Sequence, residues 1–181
     1  ALTRQPGRKR MDDARGAALE LIDVLSSKAA VGVASFFQSC GARVDLAPTT
    51  DRAEATRILE GLRGAGATPL AASLRLMRDA FGPNGDDGAT RTVIVITDGR
   101  ETCKGDPCAE ARELAQIYKN LKIHVIDVTG TSQMQCVAEI TKGTISQAGD
   151  LEELKAAVAR AASDVRRQMS CQPTDTGRPG E

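Results

Sequence analysis

The chain has 181 residues, with 24 Lys and Arg against 24 Asp and Glu. That is the length of one domain with a substantial core, and the even balance excludes the cation excess on which nucleic-acid backbone binding depends. Three Phe, one Tyr and no Trp leave the core to Val, Ile, Leu and Ala, and no apolar run approaches the roughly 18 to 20 residues of a membrane-spanning helix.

Residues 1–10 form a polar arm ending in the basic RQPGRKR, expected to be solvated. From Met11, MDDARGAALELIDVLSS spaces Ala14, Ala17, Ala18, Leu21, Ile22 and Leu25 at the helical period, with Asp12 or Asp13 as N-cap. AVGVASFFQ reads as a largely buried strand. ARVDLAP alternates Val44 and Leu46 with Arg43 and Asp45, as an edge strand stopped by Pro48 does. The short gap at Ser39-Cys40-Gly41 predicts an antiparallel hairpin between them.

DRAEATRILEGLRGAG then predicts a short helix with Ala55, Ile58, Leu59 and Leu62 inward. ATPLAASLRLMRDAF predicts another, with Thr68 as N-cap, Pro69 at the first helical position and Leu70, Leu74, Met77 and Phe81 on its face. After the surface loop GPNGDDGATR, the continuous apolar run of TVIVITDG is the pattern of a strand covered on both faces. Asp106-Pro107 opens the next helix, and KIHVIDVTG, SQMQCVAEITKG, TISQAG and DLEELKAAVARAASDVRRQM follow as strand, helix, strand and long helix. Such alternation predicts a single α/β domain over residues 11–168 with a mostly parallel sheet, followed by a disordered tail at 169–181.

Cys40, Cys103, Cys108, Cys136 and Cys171 are odd in number, so at least one is unpaired within the chain. With no C-x-x-C pair and His124 the sole histidine, they do not read as a zinc site. Lys-Gly-Asp-Pro between Cys103 and Cys108 is turn-prone, and a disulfide across it would stabilise by about 2 kcal/mol. That bond would place the protein in an oxidising compartment, periplasmic or extracellular; reduced cysteines in a cytosolic protein are the alternative.

The order helix, strand, edge strand, two helices, VITDGRET, helix, strand resembles the von Willebrand factor type A domain from Met11 to Ala162. GATPLAASL and VIVITDGRETCKGDPC resemble segments of its bacterial members most closely. The resemblance implies a doubly wound, Rossmann-like sheet with helices on both faces and one antiparallel edge strand. It also implies a metal-ion-dependent adhesion site at the top of that sheet, where a protein ligand binds through an acidic side chain. Thr68 and Asp98 match the family's metal-site threonine and aspartate; both are hard oxygen donors, suited to Mg²⁺, Mn²⁺ or Ca²⁺. Asp98 follows its strand at the C-terminal edge, where open α/β sheets bind ligands.

One departure from the family is large. Its central first strand ends in Asp-x-Ser-x-Ser and supplies most of the metal ligands, and no such strand precedes Met11 here. The reading favoured is a fragment whose upstream strand was lost, against a degenerate member; either way Thr68 and Asp98 alone would hold an ion weakly or not at all.

Enzymatic readings find less support. An Asp-x-Asp phosphotransferase pair is broken by Ile96, and no phosphate-binding Gly-x-x-x-x-Gly-Lys-Ser/Thr loop occurs. Nucleophilic chemistry would require His124, which lies among Ile123, Val125 and Ile126 as an ordinary sheet histidine does. The expectation is a non-enzymatic protein-binding module, with a metal-free structural domain of the same fold as its main rival and an Asp98-centred phosphoryl-transfer enzyme behind it.

Overall fold

Strands and helices alternate as the aliphatic periodicity requires. In a computed structural model, residues 7–37, 39–63, 67–83, 85, 87–130 and 133–170 are described. The elements are α1 (Gly7–Val24), β1 (Val31–Phe37), β2 (Gly41–Thr49), α2 (Arg52–Gly61), α3 (Leu70–Arg75), α4 (Met77–Phe81), β3 (Arg91–Thr97), α5 (Pro107–Ile117), β4 (Leu121–Asp127), α6 (Gln135–Ile140), β5 (Ile145–Gln147) and α7 (Leu151–Ser170). Of the tail expected over 169–181, residues 169 and 170 end α7 instead, and residues 171–181, Cys171 included, lie outside the described residues.

The strands form two sheets. β1 and β2 pair antiparallel, while β3, β4 and β5 pair parallel in that order. No ladder joins β1 to β3 among the described residues; the antiparallel edge and the parallel core both form, but not as one continuous sheet. Helices join them instead. On one side α1 packs against α2 and α7; on the other α3 touches β1, β2 and α5. Ala17 and Leu21 of α1 join the cluster of Ile126, Leu154 and Val158, while Ile22 of the same helix joins Val33, Ala55 and Leu59 over the small sheet. Alanines at Ala17, Ala157 and Ala161 are buried, so helices approach one another closely where aromatics are scarce.

Three expectations shift. α1 begins at Gly7, inside the polar arm, because GRKR contains no residue that opposes a helix strongly enough to stop it once α1 packs. The helix expected over 68–81 divides at Leu76 into α3 and α4. β2 runs through Pro48 to Thr49, since an edge strand tolerates a missing N–H and the β1–β2 register is already irregular between Val31 and Ala34.

The disulfide expectation is corrected. Cys103 bonds Cys40 and Cys108 bonds Cys136, with Cα–Cα distances of 5.6 and 5.7 Å. The segment between Cys103 and Cys108 is committed to other geometry: Lys104 turns the chain at φ 60°, and the Asp106 carboxylate caps α5 by accepting from Ala109 N at 3.0 Å. Cys108 therefore belongs to the first turn of α5 and meets α6, while Cys103 stays in the loop and meets the β1–β2 hairpin. On the chain-entropy estimate, each of these longer loops contributes about 4 kcal/mol. Non-reducing peptide mapping should recover Cys40–Cys103 and Cys108–Cys136 as the cross-linked pairs; a Cys103–Cys108 fragment would refute this pairing.

His124 holds α7 to the sheet. It is 2% exposed, its Nδ1 lies 2.9 Å from Thr144 Oγ1, and its Nε2 lies 3.3 Å from Asp164 Oδ2. Burial lowers the His124 pKa below the usual value, more than the Asp164 carboxylate raises it, and Lys122 adds to the lowering. Desolvation also acts on Asp164, but hydrogen bonds from Lys122, Arg167 and Gln168 outweigh it and hold its pKa below the usual range, so it stays charged near neutrality. The unfolded chain thus binds more protons than the folded one below about pH 6.5, and stability falls as pH drops through that point. Urea denaturation between pH 7 and 5 should show this loss, and His124→Gln should flatten it.

Candidate functional site

The C-terminal edge of β3 and β4 gathers the polar residues. Thr97 closes β3 with a buried hydroxyl that accepts from Gly99 N and donates to Gly99 O, both at 3.3 Å, fixing a tight turn at Asp98–Gly99. Beside it, Asp127 closes β4, and its Oδ1 accepts from Thr129 N and Gly130 N at 2.9 Å each. Asp127 is thus committed to shaping its own turn.

Thr68 comes to this edge from the approach to α3. It is 7% exposed, its N–H donates to Thr102 Oγ1 at 2.8 Å, and its carbonyl accepts from Thr102 N at 3.2 Å. A Cβ built on Gly99 would lie 3.4 Å from Thr68 Oγ1, so the hydroxyl and the Asp98–Gly99 turn are neighbours. The Thr68 hydroxyl therefore sits beside the turn that carries Asp98. The expected N-cap role for Thr68 is not what the structure has: Pro69 occupies the N-cap position, with no side-chain cap.

Glu101 takes over that work. Its Oε2 accepts from Ala71 N in the first turn of α3 at 2.8 Å, and its Oε1 accepts from Cys103 N at 2.6 Å. One carboxylate thus ties the β3–α5 loop to the start of α3. A Cβ on Gly105 would stand 2.3 Å from Ala71 Cβ, so the Gly of GDPC permits this approach. The loop's rim borders a groove of about 350 Å³ lined by Leu70, Glu101, Gly105, Asp106, Pro107, Cys108 and Gln133.

Arg10 is the residue that the sequence did not single out. Its Nη1 lies 3.4 Å from Asp98 Oδ2, with the Asp98 side chain 44% exposed. The first turns of α1 thus carry a positive charge to the candidate ligand. Tested against a divalent ion, these residues do not fit as a set. Asp98 and Thr68 supply two donors, a guanidinium already faces the carboxylate, and no group of three His, Cys, Asp or Glu among the described residues is placed to hold a metal. A cation at Asp98 would have to displace Arg10 or sit against its charge.

Elsewhere, Thr144, His124 and Asp164 fall in the order of a hydrolytic triad. The imidazole is buried in the sheet, however, and Asp164 also pairs with Lys122 at 2.9 Å and Arg167 at 3.3 Å, so the arrangement fastens α7 to the sheet.

A family model described as von Willebrand factor type A domain matches residues 2–101. An uncharacterized protein of Bacillus subtilis, YwmD, is 33% identical over 108 residues, which are 58% of this chain and 48% of that one; the chain thus spans about half the length of this curated relative. Among solved structures, a conserved hypothetical protein BatB from Bacteroides thetaiotaomicron is similar with a TM-score of 0.65 at 22% identity, over 85% of this chain and 89% of that one. Proximal thread matrix protein 1 of the mussel byssus, solved with a zinc-occupied MIDAS motif, is similar with a TM-score of 0.66 at 16% identity, over 84% of this chain and 42% of that one.

Replacing Glu101 by Ala would leave the Ala71 and Cys103 amides without their acceptor, at a cost of about 2 kcal/mol. Urea denaturation of Glu101→Ala measures this directly, and an unchanged midpoint would show that the loop and α3 do not depend on that carboxylate.

Proposed function

Because this chain belongs to the von Willebrand factor type A domain family, we propose that it is a non-enzymatic module that binds a protein ligand at the C-terminal edge of its parallel sheet. The observation that carries the reading is the convergence of Thr68, Asp98 and Arg10 there. A ligand's Glu or Asp side chain would meet the Arg10 guanidinium, a planar donor suited to carboxylates, beside the Thr68 hydroxyl. The mussel protein was solved with a zinc-occupied MIDAS motif, which supports a divalent metal as one ligand of a domain with this fold. In this chain Mg²⁺, Mn²⁺ or Ca²⁺ would be held only weakly, since two oxygen donors leave most of the coordination sphere to water. The two disulfides support an oxidising setting, periplasmic or extracellular.

Two measurements test this. Calorimetric titration with Mg²⁺ or Mn²⁺ is expected to show no binding tighter than the millimolar range, and tighter binding that Asp98→Ala abolishes would overturn the weak-metal reading. A panel of short peptides bearing Glu or Asp, each beside its Gln or Asn twin, can be screened by amide chemical shifts. Acidic members should move Thr68, Asp98 and Gly99, and lose that effect in Arg10→Ala. Shifts indifferent to Arg10→Ala, or turnover of a generic phosphate ester that depends on Asp98, would sink the proposal.

A further inference from the structure

The groove beside the β3–α5 loop carries negative charge that the described residues leave without a cation. Its half-buried Glu101 and exposed Asp106 form no ion pair among those residues, and no Lys or Arg lines it. Arg100 and Lys104 of the same loop are exposed and lie outside the lining. The carboxylates further along α5 are matched by cations: Glu110 pairs with Arg75 and Arg78, and Glu113 with Arg78. Glu101 and Asp106 meet backbone amides instead. Glu101 takes Ala71 N and Cys103 N, while Asp106 takes Ala109 N through Oδ1 and has no donor at Oδ2 among the described residues. Neutral amides stabilise these charges without cancelling them, so the groove keeps a negative potential.

The walls suit an alkyl chain. Leu70 at the start of α3 and Pro107 in the first turn of α5 are buried, while the two carboxylates are more exposed, so the apolar surface lies deeper than the charge. The groove is also shaped before any ligand arrives. Glu101 ties the loop to α3, Gly105 lets the loop approach Ala71, and the Cys108–Cys136 bond holds α5 to α6. Such pre-organisation lowers the entropy cost of binding. At about 350 Å³ the groove exceeds what a bare ion fills, and no group of three His, Cys, Asp or Glu among the described residues is placed to hold one. An apolar trough with carboxylates nearer to solvent fits a cation carried on a flexible apolar stem.

We infer that this groove receives a Lys or Arg side chain of the protein ligand, with its stem against Leu70 and Pro107 and its charged head beside Glu101 and Asp106. The inference deepens the proposed function and rests on it. Leu70 is two residues from Thr68 and Glu101 three from Asp98, so the groove opens off the same edge and one ligand segment can reach both. That segment is zwitterionic, with an acidic side chain at Arg10 and Thr68 and a basic one in the groove.

The test uses short peptides that carry one Glu and one Lys, with spacers of increasing length between them. Each has a twin with norleucine for Lys, which keeps the stem and removes the charge, and a twin with Gln for Glu. The best Glu–Lys member should bind about fivefold more tightly than its norleucine twin, lose that advantage at about 1 M salt, and move the amides of Gly105, Cys108 and Gln133. Asp106→Asn keeps the cap of α5, since Asn caps as well as Asp, and should cut the advantage to about twofold. Equal binding of the Lys and norleucine members, unmoved groove amides, or a Lys preference indifferent to Asp106→Asn would overturn the inference. The two readings fail separately. Acid-dependent shifts at Thr68, Asp98 and Gly99 with no Lys preference sink the groove and leave the ligand edge standing, whereas a Lys preference unaffected by the Gln twin sinks the acidic-ligand reading and leaves the groove its basic side chain.

Discussion

The two sheets of this fold are set by one constraint among the described residues, the hydrogen bonds that β1 and β3 do not make to each other. A parallel sheet normally gains its rigidity from ladders on both edges of its inner strands. Here the ladder stops at β3 and begins again between β1 and β2. The two halves are held by side chains and sulfur instead, through α1 on one face, α3 on the other and the Cys40–Cys103 bond at the end where both strands finish. The half-burial of Val93 to Ile96 marks where this arrangement falls short of a continuous sheet.

What the sequence announced was local. The unbroken aliphatic run before Asp98, the Asp-Pro start of α5 and the short gap after β1 each act within a few residues, and each formed as expected. What it withheld was distant. Cys40 and Cys103 are 63 residues apart, and Glu101 reaches 30 residues back to cap α3. A turn-prone Lys-Gly-Asp-Pro looked sufficient to close a small disulfide loop, but the same residues were already spent on a left-handed turn and a helix cap. The chain could not satisfy both, and the cysteines found partners elsewhere.

The candidate site divides in the same way. Thr68 and Asp98 were legible because their motifs sit at a helix approach and a strand end, positions whose location in an α/β fold is fixed by topology. Arg10 was not, because a basic residue in a polar arm carries no sign of where its helix will point. Its presence changes the chemistry at that edge. Where the family resemblance implied a bare cation, the described residues place a guanidinium fixed to the backbone of α1, which offers directional N–H donors in place of an open coordination sphere.

The two disulfides leave from opposite ends of one short loop, Cys103 toward the hairpin and Cys108 toward α6. A pull on the hairpin is therefore transmitted covalently through Cys40, the Cys103–Cys108 segment and Cys136 into α6, in parallel with the contacts made by α1 and α3. Fully extended, the five Cα–Cα steps from Cys103 to Cys108 would span at most about 18 Å. Because the disulfides bind the hairpin to α6 through this short segment, the loop at the rim of the candidate site doubles as a mechanical tether.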